Sequence, residues 1–292
     1  MALGASPKKA LRKIVGIVLV RNEDRFVRQA VLNALALCDR VLLADHESQD
    51  GTREILEGLV LSHPERLEFH AIQHPRESHE LLKPYVGTAT WVFGVDGDEI
   101  YDPGGLQKFR ARLLDGQIDS HWMILSHVLH CDEIDVVGRR ASGFLAPPSR
   151  SITKLYNFAA IESWDGDTPE RLHGGQPVFR DGFGATQKLQ QQMIGNWDGA
   201  DLRCLHACFV PRSALDANVA SRENIMETYR GGVTNFLKRV SRQLRGKPEE
   251  SDWKRERYAR GERVTVSTQP FFFDYSSGHR KWCGGSFIRV SV

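Results

Sequence analysis

The first hundred residues alternate between apolar runs and amphipathic stretches. Ile14–Val20 is apolar throughout and mostly β-branched, the pattern of a strand buried on both faces. Asn22, Glu23 and Asp24 follow, and they suit a helix start, where side-chain oxygens cap free N–H groups and acids oppose the dipole. Phe26, Val27, Ala30, Val31 and Ala34 then recur at helical spacing. Val41–Ala44 predicts a second strand, Asp45 to Thr52 a polar loop, and Ile55, Leu56, Leu59 and Val60 the next helix. Leu67–Ile72 and Trp91–Val95 predict the third and fourth strands. Strands alternating with helices imply an α/β fold, with a Rossmann-like, mainly parallel sheet flanked by helices. Such sheets bind ligands at the C-terminal strand ends, where the loops after Val20, Ala44 and Val95 all fall.

The pattern then loosens. Pro103-Gly104-Gly105 opens a helix carrying Leu106, Phe109 and Leu113, and His121–Leu129 and Ile152–Phe158 predict strands. Ala141 to Ser151, rich in Pro, Ser and Gly, reads as a loop between them. Ser213 to Tyr229 reads as a helix started by Pro211 and Ser213, and the charged stretch Lys238 to Arg263 as an exposed helix. In the aromatic end of the chain, Phe271 to Phe273, Tyr275 and Trp282 suit either core or a binding platform.

Composition narrows the class. The chain has 292 residues, 41% hydrophobic and 26% charged, enough for one large domain without staples. A formal charge of +2 is too mild to argue for nucleic acid. Basic residues cluster at Lys8 to Lys13 and Lys238 to Arg263, which read as solvated surface, or more sharply as weak peripheral contact with an anionic membrane. Five widely spaced cysteines fit a reducing compartment. Cys204, His206 and Cys208 alternate, which invites a zinc reading. No second Cys or His pair sits at a zinc spacing, so the alternation reads as one face of a strand. The early apolar run is too short to span a bilayer and no signal-peptide pattern precedes it, so the expected location is cytoplasmic.

The central chemical signal is Trp91 to Glu99, where an apolar strand delivers Asp96 and Asp98 to a strand end. Side chains at i and i+2 can point the same way, and two hard oxygen donors suit one Mn²⁺ or Mg²⁺ that bridges substrate phosphates. An EF-hand is excluded, because its fifth and sixth positions would be Ile100 and Tyr101. In the second loop Asp45 follows the strand directly, while Ser48, Asp50 and Gly51 favour a turn into a helix.

Three blocks now resemble the glycosyltransferase family 2-like group: Leu19 to Glu23, Asp45 to Thr52, and Trp91 to Glu99. The middle block of that group reads roughly Asp-x-Gly-Ser-Thr-Asp-Gly-Thr, and this chain has Glu47 and Gln49 in place of Gly and Thr. The resemblance implies a GT-A fold and a nucleotide-diphosphate sugar donor, UDP-sugar favoured. It implies a nucleotide-sugar core over residues 1–130, with residues 131–292 forming an acceptor part and a helical and irregular C-terminal extension. It places Asp45, Arg21 and Glu23 near the nucleoside, Asp96 and Asp98 near diphosphate and metal, and Arg76, with Lys83 competing, near the donor. Further on, Lys154 to Asn157, Trp164 to Asp167 and Leu172-His173 are similar to core-oligosaccharide transferases of the group, which often have His-Glu where this chain has His173-Gly174. A general base for an inverting transfer would then come from Asp167, Glu170 or His173, with Asp167 slightly preferred. His206 falls where relatives often place a histidine that can serve as a third metal ligand.

The implied activity is hexosyl transfer to a hydroxyl on a glycan, a lipid-linked acceptor or a small molecule, in glycan, lipopolysaccharide or glycoconjugate synthesis, inverting favoured over retaining. One rival is a degenerate, non-catalytic nucleotide-sugar or glycan-binding protein, suggested by Glu47 and Gly174. A sugar nucleotidyltransferase would need a glycine-rich loop after the first strand, and Arg21-Asn22-Glu23-Asp24 has none.

Overall fold

The computed structural model describes residues 12–150, 152–191, 196–216, 256–274 and 281–282. Its central strand, β1 (Lys13–Val20), follows from the unbroken apolar run: Ile14, Val18 and Val20 enter the core on one face, Val15 and Ile17 on the other. β2 (Arg40–Asp45), β3 (Leu67–Ala71) and β4 (Thr90–Asp96) join it in a parallel sheet of order β3-β2-β1-β4. The crossovers carry α1 (Val27–Ala34), α2 (Thr52–Ser62) and a short α3 (Glu77–Glu80). This is the Rossmann-like, helix-flanked sheet that the alternating pattern predicts.

Beyond β4 come β5 (Glu99–Tyr101) and α4 (Pro103–Leu114), then β6 (Met123–Asp135), β7 (Arg140–Ala146) and β8 (Ile152–Asn157). β8 pairs antiparallel with both β4 and β6, and β6 pairs antiparallel with β7. β9 (Ile161–Asp165) and β10 (Gln176–Phe179) form a hairpin, and β11 (Lys188–Gln190) and β12 (Arg203–His206) run parallel to β6. β12 also pairs with β5. β13 (Arg263–Ser267) edges the sheet against β7, and β14 (Phe273–Asp274) pairs with β15 (Lys281–Trp282).

One face of the sheet packs Trp91, Phe93, Leu43 and Leu106 with Leu37 and Phe109; the other packs Val92, Trp122, Tyr156, Phe158 and Trp164. Each fully buried aliphatic or aromatic side chain contributes about 1.5–3 kcal/mol. Trp122 meets Tyr156 and Phe179 edge-to-face at 5.4 and 4.9 Å, the geometry the ring quadrupoles prefer. α4 is capped as its sequence implies, with Pro103 in the first turn and the Asp102 side chain accepting from Gly104 and Gly105 N–H.

Two readings change, and an open one closes on core. Ala141–Ala146, expected in a loop, belongs to β7, because hydrogen bonding to β6 on one side and β13 on the other overrides its small-residue composition. Asn22, Glu23 and Asp24 do not cap α1, which starts at Val27 without a side-chain cap. Their backbone N–H groups donate instead to Ser48, Thr52 and Asp50, stitching the first strand-end loop to the second. Phe271 and Phe272 are buried core residues rather than a platform, with Arg203 stacked against Phe271 and Trp197. Most of the helices expected at 213–229 and 238–263 lies outside the described residues, as do Tyr275 and the side chain of Trp282; Arg263 itself begins β13. No helix among the described residues is long and apolar enough to cross a membrane.

Candidate functional site

Sheet register assembles the site. Val20 pairs with Asp45 and Leu19 with Asp96, so all three sequence blocks emerge side by side on the C-terminal edge of β2, β1 and β4. At the second loop Asp45 is buried and accepts from Ser48 N–H at 3.3 Å, and burial raises its pKa against those Ser48 bonds. Arg21 approaches His46 Nδ1 at 3.4 Å, while His46 Nε2–H donates to the Gln73 carbonyl. Glu47 has φ +52°. That left-handed backbone explains the glycine of the family pattern here, since only glycine adopts it without strain.

The Asp-Gly-Asp turn is tight for a specific reason. A Cβ on Gly97 would overlap the carboxylate of Glu23 and lie 2.7 Å from Val20 Cγ1, so Glu23 packs directly over the turn. Glu23, Asp98 and Glu99 are buried, whereas Asp96 keeps about a third of its side chain in solvent, at 35%. Three cations face these four carboxyls. Arg171 pairs with Asp96 and also donates to the Val95 carbonyl at 3.1 Å. Lys154 lies 2.6 Å from Glu99 and 3.4 Å from Asp96, and Arg212 pairs with Asp98 and, at 3.2 Å, with Glu23. Burial raises the pKa of Asp96, but Arg171 and Lys154 outweigh it and hold the group well below the carboxylate range. Burial dominates at Glu99, pushing it up to about 8, and raises Glu23 well above its usual value despite Arg212.

The histidines orient one another. His130 on β6 bonds the Arg150 carbonyl through Nε2 at 2.8 Å, and its Nδ1 lies 2.9 Å from Nδ1 of His206. Burial lowers their pKa values to about 3 and about 4, so both rings are neutral at pH 7. His130 must carry its proton on Nε2 to meet the carbonyl, so its Nδ1 accepts and His206 Nδ1–H donates. His206 Nε2 is then a bare lone pair 3.6 Å from Asp98 Oδ2. Two acceptors face each other there, and Asp98 Oδ1 is buried with no hydrogen-bond partner among the described residues. Arg212 supplies a cation to Oδ2 only, and a buried carboxylate oxygen without a donor, as Oδ1 is, remains costly. Two carboxylates and an imidazole are donor types that Mn²⁺ or Mg²⁺ accepts.

The remaining candidates sit on the loop between β9 and β10. That loop docks on α3, with Arg171 N–H donating to Ser78 Oγ and His79 Nδ1–H donating to the Arg171 carbonyl. Asp167 is exposed and paired with Arg76 at 2.7 Å, and Lys83 pairs with Glu80 on the surface. Glu170 is mostly buried and receives a 2.8 Å bond from His173 Nδ1. Burial raises its pKa, but the His173 bond and Arg171 outweigh it and keep it a carboxylate. Gly174 has φ +73°, and a Cβ there would lie 2.5 Å from the Asp167 carbonyl oxygen and from Pro169 Cδ. A glutamate at this position would be strained by the loop's backbone.

Arg171, Arg212 and His130 escaped the sequence reading, since each reaches the site across 75 residues or more. The one available hint for Arg171 was its sequence neighbour Glu170, an acid that burial would oblige to pair with a cation.

No protein-family model matches the chain, and no curated protein matches it. Similar solved structures include glucosyl-3-phosphoglycerate synthase from Mycobacterium tuberculosis in complex with Mn²⁺, UDP and glucosyl-3-phosphoglycerate, at 16% identity and TM-score 0.30 over 43% of this chain and 50% of that one. The same synthase with Mn²⁺ and UDP-glucose matches at 18% identity and TM-score 0.30, over 40% of this chain and 44% of the other. A protein described as a glucose-1-phosphate thymidylyltransferase from Bacillus anthracis, in complex with sucrose, matches at 13% identity and TM-score 0.29, over 43% and 57%. The chain spans about half the length of these structures, and at such scores function is argued from the site.

Proposed function

We propose that this chain is a metal-dependent glycosyltransferase of the GT-A type, moving a sugar from a nucleotide-diphosphate donor, UDP-sugar favoured, to a hydroxyl acceptor on a glycan, a lipid-linked molecule or a small molecule. The observation that supports the reading is Asp98: fully buried, with Oδ1 lacking a hydrogen-bond partner among the described residues and Oδ2 shared between Arg212 and the His206 Nε2 side, on the strand-end edge that also carries Asp45.

Asp96, Asp98 and His206 would hold Mn²⁺ or Mg²⁺, which would supply positive charge to the departing diphosphate. Arg171 and Arg212 already stand in the same cluster, charged and hydrogen-bonded, and add fixed positive charge where negative charge develops. Asp45 accepts from the donor's base or ribose, with Arg21 lining that side and Arg76 the outer side, while Glu23, held by Arg212 over the Asp-Gly-Asp turn, sits on the diphosphate side instead. Glu170, kept ionised by His173 and Arg171, is the better-supported general base; the exposed Asp167 is engaged with Arg76. An inverting transfer follows from a base on the acceptor side.

Thermal unfolding with a panel of nucleoside diphosphates, with and without Mn²⁺, tests the reading on wild type and Asp98→Asn. A ligand that binds only the folded form adds about 2.7 kcal/mol at a hundred times its dissociation constant. A Mn²⁺-dependent shift with one nucleotide, lost in the variant, supports the proposal. Folded wild type that shifts with none of them refutes it.

A further inference from the structure

His206 has a second nitrogen, and it looks away from Asp98. On that side β6 brings His130 and the turn after β12 brings Cys208, so that one ligand atom from each of His130, His206 and Cys208 lies within 4.8 Å of the others. Along the chain only Cys204, His206 and Cys208 suggest such a site; pairing of β6 with β12, in register at His130 and His206, supplies the missing histidine. Cys204 is fully buried and forms part of the core instead.

We propose that His130 Nδ1, His206 Nδ1 and Cys208 Sγ form a site for a zinc-type divalent cation, separate from the oxygen-rich site at Asp96 and Asp98. Bond lengths of about 2.0–2.1 Å to nitrogen and about 2.3 Å to sulfur put tetrahedral ligand atoms about 3.3–3.6 Å apart. The structure has 2.9 Å between the two nitrogens and 3.8 Å from Cys208 Sγ to His130 Nδ1, within the reach of small side-chain rotations. The outer contact of His130 matches that of a metal-bound imidazole, whose far N–H meets a carbonyl or carboxylate. His130 Nε2–H already donates to the Arg150 carbonyl at 2.8 Å; His206 Nε2 lies 3.6 Å from Asp98 Oδ2, beyond hydrogen-bond length, and would need to close on it once protonated. One thiolate and two imidazoles select zinc over the hard cations that the aspartates prefer. Tyr258 covers the pair, its ring centroid 4.3 Å from that of His130 and 5.8 Å from that of His206, while Cys208 stays partly exposed and leaves a path for the ion.

Loading is balanced by proton movements within the cluster. The Cys208 thiol loses its proton to solvent, and the proton on His206 Nδ1 moves to Nε2, where it donates to Asp98. His206 can therefore serve one metal at a time. If the glycosyltransferase reading holds, zinc opposes Mn²⁺-dependent nucleotide binding; the zinc site itself does not depend on that reading.

Co²⁺ replaces zinc and reports thiolate ligation directly. The full-length, metal-stripped protein is titrated with Co²⁺, reading near-ultraviolet thiolate-to-metal absorption and visible tetrahedral bands. One equivalent of Co²⁺ should give both, Zn²⁺ should abolish them, and Mn²⁺ should not. Cys208→Ser should lose the thiolate band and His130→Asn the tetrahedral bands, with circular dichroism confirming that each variant is folded. Because His130 is buried, Cys208→Ser is the deciding variant. No thiolate band in wild type, or an equal band in folded Cys208→Ser, overturns the proposal.

Discussion

Replacing Gly97 with alanine probes the packing on which the site depends. The new Cβ would overlap the Glu23 carboxylate and stand 2.7 Å from Val20 Cγ1. Neither neighbour yields easily: Val20 is fully buried at the end of the central strand, and Glu23 is tied to Arg212, which also holds Asp98. Overpacking of this kind costs about 1–3 kcal/mol. Gly58 is the internal control. It lies within α2 with no atom within 4 Å of an added Cβ, so Gly58→Ala should stabilise by about 0.5–1 kcal/mol through helix propensity and reduced unfolded-state freedom. Denaturant unfolding of both variants against wild type gives two changes of opposite sign. A Gly97→Ala protein as stable as wild type would refute the account, because Glu23 would then not be pressed against the Asp-Gly-Asp turn.

Further substitutions test the two departures from the family pattern and the buried charges. Glu47→Gly should be at least as stable as wild type, and Glu47→Val less stable by about 1–2 kcal/mol, since residue 47 is left-handed; thermal unfolding in the reverse order would contradict the turn geometry. Gly174→Glu should lose about 2–4 kcal/mol from backbone strain and overlap, and should not raise transfer activity; a stable, faster enzyme would show that the loop accepts the family's acid. For Glu99, a folded pKa of about 8 against an ordinary 4.5 means that the folded protein holds the extra proton between those values. Stability of metal-free protein should therefore fall as pH rises through that window, and Glu99→Gln should flatten this part of the profile. An unchanged slope in the variant would assign the proton elsewhere.

β1, β2 and β4 were legible because their apolar runs fit strands buried on both faces of a sheet, while β3, half-exposed, was legible only from its place in the alternation. The three motif blocks were legible because parallel register places strand ends together. β7 was not, since its Gly and Ser residues signal a loop until β6 and β13 are known to flank it. The polar residues at Asn22 to Asp24 read as a cap, but their real partners, Ser48, Asp50 and Thr52, belong to the neighbouring strand-end loop. The counter-charges were the least legible part. Arg171 and Arg212 come from loops distant in sequence, and only the fold shows that they balance Asp96 and Asp98. Gly174 looked like a lost catalytic acid; the backbone shows a turn that a glutamate cannot adopt without strain.

The most direct test of the central claim is calorimetric titration of the protein with UDP in Mn²⁺ and again in a chelator, on wild type and Asp98→Asn. The account predicts measurable UDP binding in Mn²⁺, loss of most of it in chelator, and weak, metal-indifferent binding in the variant. Equal UDP affinity in Mn²⁺ and chelator, or an Asp98→Asn protein that still binds as wild type does, would contradict a metal-bridged diphosphate at this site.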